Sequence, residues 1–222
     1  MFNHIAPKYD FLNHFLSLGI DKSWRKKVVK ELKKKDPKRM LDVASGTGDL
    51  AIAAAMRMPN LKVEATDIAA VMLEKAQIKI EKRKLSDRIN VSIADAENLQ
   101  FDATQFDAVT AAFGVRNFED VPKGLSEMYR VLKPGGKLII LEFSKPRKGP
   151  FAMFFRFYFK FILPFLGRLF SGNNRAYTYL PESVEAFAER EKFIQLMEQA
   201  GFQSCDYKVL TFGVACMYQG IK

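Results

Sequence analysis

The sequence predicts one α/β domain built on a mostly parallel sheet with helices on both faces. Three observations carry that expectation. Short apolar runs alternate with stretches of helical periodicity through the first two thirds of the chain. The first of these runs ends in a glycine turn, Ser45-Gly46-Thr47-Gly48, that opens directly into a helical stretch. Near the C-terminus two strand-like runs lie on either side of Gly213, close enough together to form an antiparallel pair.

Taken in order, Arg39-Met40-Leu41-Asp42-Val43 reads as the first strand and Asp49 to Met56 as the helix after the turn. Leu61 to Thr66 is a second strand, and the segment from Ala69 to about Lys84 its helix. Ile89 to Ile93 is the third strand and Phe106 to Ala112 the fourth, followed by a helix from Val121 to Leu132. Pro134-Gly135-Gly136 is expected to turn the chain into a fifth strand, Lys137 to Glu142. The C-terminal part differs in character. Gly149 to Phe170 is aromatic and basic, Glu189 to Ala200 is helical with Gly201 as its C′ residue, and Gln203 to Leu210 and Val214 to Tyr218 are the paired strands. The strand–helix alternation forces right-handed crossovers and hence parallel pairing.

The chain has 222 residues, enough for one sizeable core, and 48% hydrophobic with 27% charged residues is globular rather than disordered usage. Cys205 and Cys216 match no zinc or redox spacing, which points to free thiols and a reducing, cytoplasmic setting. His4 and His14 are too few for a metal site, and Met1-Phe2-Asn3-His4 lacks the shape of a signal peptide. The net charge of +10 favours an anionic partner: nucleic acid, an acidic substrate or anionic lipid. Lys22, Arg25, Lys26, Lys27, Lys30, Lys33, Lys34, Lys35, Lys38 and Arg39 crowd one early segment. Composition alone leaves open whether they are a solvated helix face or an anion-binding surface.

The glycine turn lies at the carboxyl end of a parallel strand, where open α/β sheets bind ligands and where Gly46 and Gly48 let backbone approach closely. Asp67 ends the second strand about twenty residues later, placed to take both hydroxyls of a ribose. Asp95 and Ala96 follow the third strand, where an acid can receive an adenine amino group. Each carboxylate alone is equally at home as a cap or surface residue; together, each after a strand of one sheet, they describe an adenosine site. Gly46-Thr47-Gly48-Asp49-Leu50-Ala51 also fits the dinucleotide pattern. A dinucleotide, however, puts pyrophosphate on the helix N-terminus, where Asp42 and Asp49 oppose it. The zwitterionic tail of S-adenosylmethionine (SAM) tolerates those carboxylates, so SAM is the expected cofactor rather than NAD.

The residues resemble the class I methyltransferases and, more narrowly, the ubiquinone/menaquinone biosynthesis C-methyltransferase family. The likeness runs from Lys8-Tyr9-Asp10, Trp24-Arg25 and Asp42-Val43-Ala44-Ser45-Gly46-Thr47-Gly48 through Phe113-Gly114-Val115-Arg116-Asn117 and Leu132-Lys133-Pro134-Gly135-Gly136 to Glu142-Phe143-Ser144-Lys145-Pro146 and Ala200-Gly201-Phe202. The glycine and Pro-Gly-Gly motifs are widely shared; the segments at Lys8, Phe113 and Glu142 are the specific ones. The resemblance implies a seven-stranded Rossmann-like sheet with an antiparallel last strand, and methyl transfer from SAM to a ring carbon of a polyprenyl hydroquinone. It carries cofactor contacts to Thr47, Asp67, Asp95 and Ala96. Ala112 stands where many relatives have serine, so a side-chain hydrogen bond is lost there while a backbone contact remains available. Residues 1–36 are expected as a helical cover and residues 145–188 as a helical insertion facing substrate or membrane.

A hydroquinone carbon is a poor nucleophile until a hydroxyl of pKa about 10 is deprotonated. Arg116 and Asn117, at the mouth beyond the fourth strand, are the expected catalytic pair with Tyr9 and Asp10 of the cover. Arg116 also reads as a surface ion pair, Asn117 as a cap, and His14 as either a base or a structural histidine. The segment Ala112-Phe113-Gly114-Val115 lacks the tetrapeptide with which nucleic-acid amino-methyltransferases grip their target, so no nucleic acid is expected as partner. Within the family the expected substrate is demethylmenaquinol; a benzoquinol precursor of ubiquinone, an RNA methyltransferase and a non-enzymatic SAM- or lipid-binding module stay as alternatives, and a homodimer is admitted. Arg156, Lys160 and Arg168 recur on one helical face of a Phe-rich segment. That pattern suits either an interfacial helix on an anionic membrane or a pocket cover.

Overall fold

The computed structural model describes residues 19–147, 149, 153 and 183–222. Tyr9, Asp10 and His14, and the stripe Arg156, Lys160 and Arg168, lie outside the described residues. The elements are α1 (Asp21–Lys33), β1 (Arg39–Val43), α2 (Asp49–Arg57), β2 (Lys62–Asp67), α3 (Ala70–Lys82), β3 (Ile89–Ile93), β4 (Phe106–Ala112), α4 (Val121–Val131), β5 (Leu132–Phe143), α5 (Glu191–Gln199), β6 (Gln203–Leu210) and β7 (Ala215–Ile221).

The seven strands form one sheet in the order β3-β2-β1-β4-β5-β7-β6. β7 pairs antiparallel with both β5 and β6, so it alone runs against the others. The predicted architecture therefore holds, including the reversed last strand. Alternate residues of each strand feed opposite cores. Met40, Ile139 and Leu141 pack beneath α1, α2 and α3, whereas Leu41, Val43, Leu138 and Ile140 pack with Leu125 and Met128 of α4 and Phe193 of α5. The chain leaves β1 for β2 on one side and returns to β4 on the other, which opens a crevice at the carboxyl ends of β1 and β4.

Three expectations need correction. Pro134-Gly135-Gly136 does not precede β5 but lies inside it. Leu132 pairs with Phe106 and Lys137 with Ala108, so the residues between them bulge from the ladder. The C-terminus stabilises that excursion: Gly135 N donates to Lys222 O at 2.7 Å and Lys222 N to Gly136 O at 3.0 Å. The last helix starts at Glu191 rather than Glu189, because Arg190 sits at φ 59°, ψ −120°, outside helical space. The early basic cluster also divides. Lys22, Lys26, Lys27, Lys30 and Lys33 are exposed on α1, but Arg25 is 8% exposed beside Trp24. Trp24 packs on Phe113 and Phe143 at 6.0 and 6.2 Å and donates its indole N–H to Thr211 Oγ1 at 2.8 Å, which fastens α1 over the sheet end.

Candidate active site

The crevice is built from backbone conformations that few residues adopt. Ala44 (φ 50°) and Phe113 (φ 62°) end β1 and β4 in left-handed conformations. Gly114 follows Phe113, and a Cβ there would stand 2.5 Å from the Ala44 Cβ. The glycine is thus what lets the two strand tips close on each other. Gly48 (φ 78°) caps α2, and a Cβ on it would come within 3.1 Å of Ala76.

Two carboxylates, one buried and one half-buried, hold the turn between β1 and α2. Asp42, 1% exposed, accepts from Thr110 Oγ1 and Ser45 Oγ, both at 2.6 Å. Burial pushes its carboxyl up to about 6, against the two hydroxyls and the Arg25 charge, which pull it down. Asp67 accepts from Gly46 N at 2.8 Å through Oδ2 and from Ala69 N at 2.9 Å through Oδ1. Its carboxyl too is raised by burial, with the backbone N–H groups of Ala69, Gly46 and Ile68 opposing.

Gly46 and Asp67 border a cleft of about 300 Å³ that also takes in Ile68, Met72, Asp95, Ala96, Asn117 and Phe118. Its polar side chains are carboxylates and an amide, and its walls are apolar. Carboxylates there can accept from hydroxyls and amines, and apolar side chains can flank a flat ring, so the cleft is chemically suited to a neutral nucleoside. Asp95 is oriented by its own turn, with Oδ1 accepting from Glu97 N at 2.9 Å. Ile68, 68% exposed on the cleft wall, was not singled out by sequence. The available signal was an apolar side chain directly after the acidic end of β2.

Ala44 and Gly46 lead from this cleft into a narrow recess lined by Arg25, Asp42, Ser45, Thr47, Asp49 and Ala112. Lys79 Nζ donates to both Thr47 Oγ1 and Asp49 Oδ1 at 2.8 Å. The structure thus gathers the expected cofactor residues into two joined spaces: Gly46, Asp67, Asp95 and Ala96 in the cleft, Asp42, Gly46, Thr47 and Ala112 in the recess, with Gly48 beneath as the cap of α2.

Arg116 and Asn117 sit in a 3₁₀ turn, Val115–Asn117, at the edge of the cleft. The Arg116 guanidinium turns to Glu142: Nη1 stands 2.7 Å from Oε1, with side-chain exposures of 7% and 0%. Nη1 also donates to Phe113 O at 2.5 Å and Nε to Ser183 Oγ at 3.3 Å, and the group lies over the Phe143 ring at 5.3 Å. The alternative reading of Arg116 as an ion-pair residue is therefore met, but the pair is buried rather than at the surface. Its carboxylate was legible as an acid closing an otherwise apolar strand, Leu138 to Leu141.

Comparison with known proteins agrees with this geometry. The model of the ubiE/COQ5 methyltransferase family matches residues 1–222. A demethylmenaquinone methyltransferase of Thermus thermophilus is 52% identical over 220 residues, which is 99% of this chain and 99% of that protein. The ubiquinone/menaquinone biosynthesis C-methyltransferase UbiE of Geotalea daltonii is 45% identical over 100% of this chain and 94% of its own. The Haemonchus contortus phosphoethanolamine N-methyltransferase 2, solved with SAM, shares the fold at TM-score 0.65 and 18% identity, covering 96% of this chain and 59% of that one. With strand order, cleft chemistry and full-length family match in agreement, the chain belongs to the ubiE/COQ5 methyltransferase family and is a SAM-dependent methyltransferase.

Proposed function

We propose that this enzyme methylates a ring carbon of a polyprenyl hydroquinone, demethylmenaquinol before any other. The observation that carries the reading is the 3₁₀ turn at the cleft edge, where Asn117 lines the cofactor space and Arg116 is fixed against Glu142. The names borne by the relatives supply the substrate class. SAM supplies an electrophilic methyl group; the chain's residues supply orientation, water exclusion and help with the phenolic proton. Asn117 and the Phe113–Gly114 backbone bound the space in which a flat ring meets the cofactor. Arg116, its charge balanced by Glu142, holds the turn that places Asn117 at the cleft. Tyr9 and Asp10 remain our candidates for closing the site and taking the proton. The Geotalea relative's name keeps the benzoquinol precursor of ubiquinone as the second reading. Label from methyl-labelled SAM is expected in reduced demethylmenaquinone when that quinol, the reduced benzoquinone precursor and RNA are offered separately. Label in RNA alone would overturn the reading.

We further propose that the enzyme works against an anionic membrane surface, at its cytoplasmic face. No helix among the described residues is long and apolar enough to cross a membrane. Support comes from a groove between α1, α2 and α3 lined by Lys22, Lys26, Arg57, Lys79, Lys82 and Arg83, with Asp49 as its acidic member. Each basic group near an anionic leaflet contributes about 1 kcal/mol. Co-sedimentation with vesicles is expected to rise with phosphatidylglycerol content, fall with salt, and drop when Lys22, Lys26, Lys82 and Arg83 become Glu. Equal sedimentation with neutral vesicles removes the electrostatic reading.

A further inference from the structure

We propose that the groove between α1, α2 and α3 is a discrete site for one anionic phospholipid, its cations holding the phosphate and an apolar strip taking the first part of an acyl chain. The inference deepens the membrane reading and rests on it. Diffuse attraction to an anionic leaflet needs only surplus charge spread over a surface. The groove offers more. Its volume is about 670 Å³, and among the described residues seven cationic side chains line it against the single carboxylate of Asp49. That carboxylate is already paired, its Oδ1 accepting from Lys79 Nζ at 2.8 Å. Lys22, Lys26, Arg57 and Lys82 are exposed and have no ion pair or side-chain hydrogen bond among the described residues.

The apolar lining decides which kind of anion fits. It comes from α2, where Ile52, Ala53 and Met56 fall within about one turn of each other, and Met56 is 55% exposed. Arg83 lies against it, with Nη1 3.7 Å from the Met56 sulfur. Inorganic phosphate would satisfy the cations and leave this strip in water, whereas an amphiphile satisfies the cations and covers the strip. No aromatic side chain lines the groove among the described residues, so it has no platform on which a nucleobase would stack. The guanidinium forks of Arg57 and Arg83 suit the two free oxygens of a phosphodiester, and the lysines supply point charges around them. The groove shares Arg25 and Asp49 with the recess beside the cofactor cleft. A lipid held there therefore sets the carboxyl edge of the sheet against the leaflet that holds a polyprenyl quinol.

The test uses lipid below its micelle concentration, which removes the bilayer. Dihexanoylphosphatidylglycerol is titrated into the full chain and followed by calorimetry and by the methyl resonance of labelled Met56, assigned with Met56→Leu. A saturable shift of that resonance at one lipid per chain is expected. Dihexanoylphosphatidylcholine lacks the net charge and glycerol 3-phosphate lacks the chains; each should bind at least about tenfold more weakly. Met56→Gln changes no charge and is expected to weaken the phosphatidylglycerol roughly three- to tenfold while SAM binding stays unchanged. Glycerol 3-phosphate binding as tightly as the lipid, or wild-type lipid affinity in Met56→Gln, reduces the groove to a phosphate site and overturns the proposal. An oligouridylate that outcompetes the lipid assigns the groove to nucleic acid and overturns it too. No saturable binding, together with salt-sensitive co-sedimentation on anionic vesicles, overturns the discrete site and leaves the diffuse membrane reading standing. Absence of both overturns the two together.

Discussion

Glu142→Ala is expected to cost the fold about 3–5 kcal/mol, the scale for breaking a buried ion pair from one side. The carboxylate is 0% exposed and receives the Arg116 guanidinium at 2.7 Å, the Arg116 backbone N–H at 3.3 Å and the Phe143 N–H at 2.8 Å. Removing it strands a guanidinium that is only 7% exposed and frees the 3₁₀ turn from β5. Arg116→Ala strands the carboxylate instead and is expected to cost a similar amount. The paired replacement, Arg116→Met with Glu142→Met, leaves no unpaired charge. Its loss is expected to be far smaller than the sum of the single losses, because partners in one network are not additive. Urea unfolding of the three variants measures the coupling. Methyl transfer separates position from stability: all three variants should lose turnover, since each releases the turn that presents Asn117, while S-adenosylhomocysteine affinity changes by only a few fold. A paired variant that is stable and fully active would remove Arg116 and Glu142 from the mechanism.

This pair shows where sequence reasoning stops. Arg116 and Asn117 were legible because they follow a strand that must end at the sheet's binding edge. What Arg116 touches was not, since Glu142 reaches it only through the β4–β5 ladder. The parallel core was legible for a simple reason: β1, β3 and β4 are short apolar runs bounded by turns, and their limits coincide with the expected ones. Pro134 to Gly136 read as a turn because Pro and Gly usually make one. The distant Lys222 backbone, pairing with Gly135 and Gly136, holds the segment within a strand. Arg25 was hidden among lysines of the same charge. The helical period held the missing information, because Arg25 shares a face with Asp21, Val28 and Val29, all buried. Ile68 was hidden by the opposite effect: a lone apolar side chain carries no chemical signal until Asp67 and Met72 are seen beside it.

Asp67→Asn is expected to weaken SAM by about 1–3 kcal/mol, roughly 5- to 150-fold, while leaving the ligand-free protein at least as stable near neutral pH. The two effects have opposite signs for one reason. Burial raises the Asp67 carboxyl above the ordinary aspartate value, so the folded state disfavours the ionised form. For a raised pKa, the favourable contribution is complete below the unfolded-state value and is lost as pH rises through the folded-state value. At neutral pH the wild type therefore carries the cost of an ionised, half-buried carboxylate. Asparagine removes that charge, keeps one oxygen for the Gly46 or Ala69 N–H, and fills the same space. What it loses is the charge-assisted acceptor for the ribose hydroxyls. Calorimetry with SAM and urea unfolding at pH 7.5 and pH 4 measure both halves. The variant's stability advantage should shrink at the lower pH, where protonation relieves the wild type as well. Asp67→Ala should lose similar affinity but gain no stability, because it also abandons the two N–H groups that shape the glycine turn. A folded asparagine variant with wild-type SAM affinity would take Asp67 out of the cofactor site. A destabilised one would mean that its hydrogen bonds to the turn outweigh the cost of burying its charge.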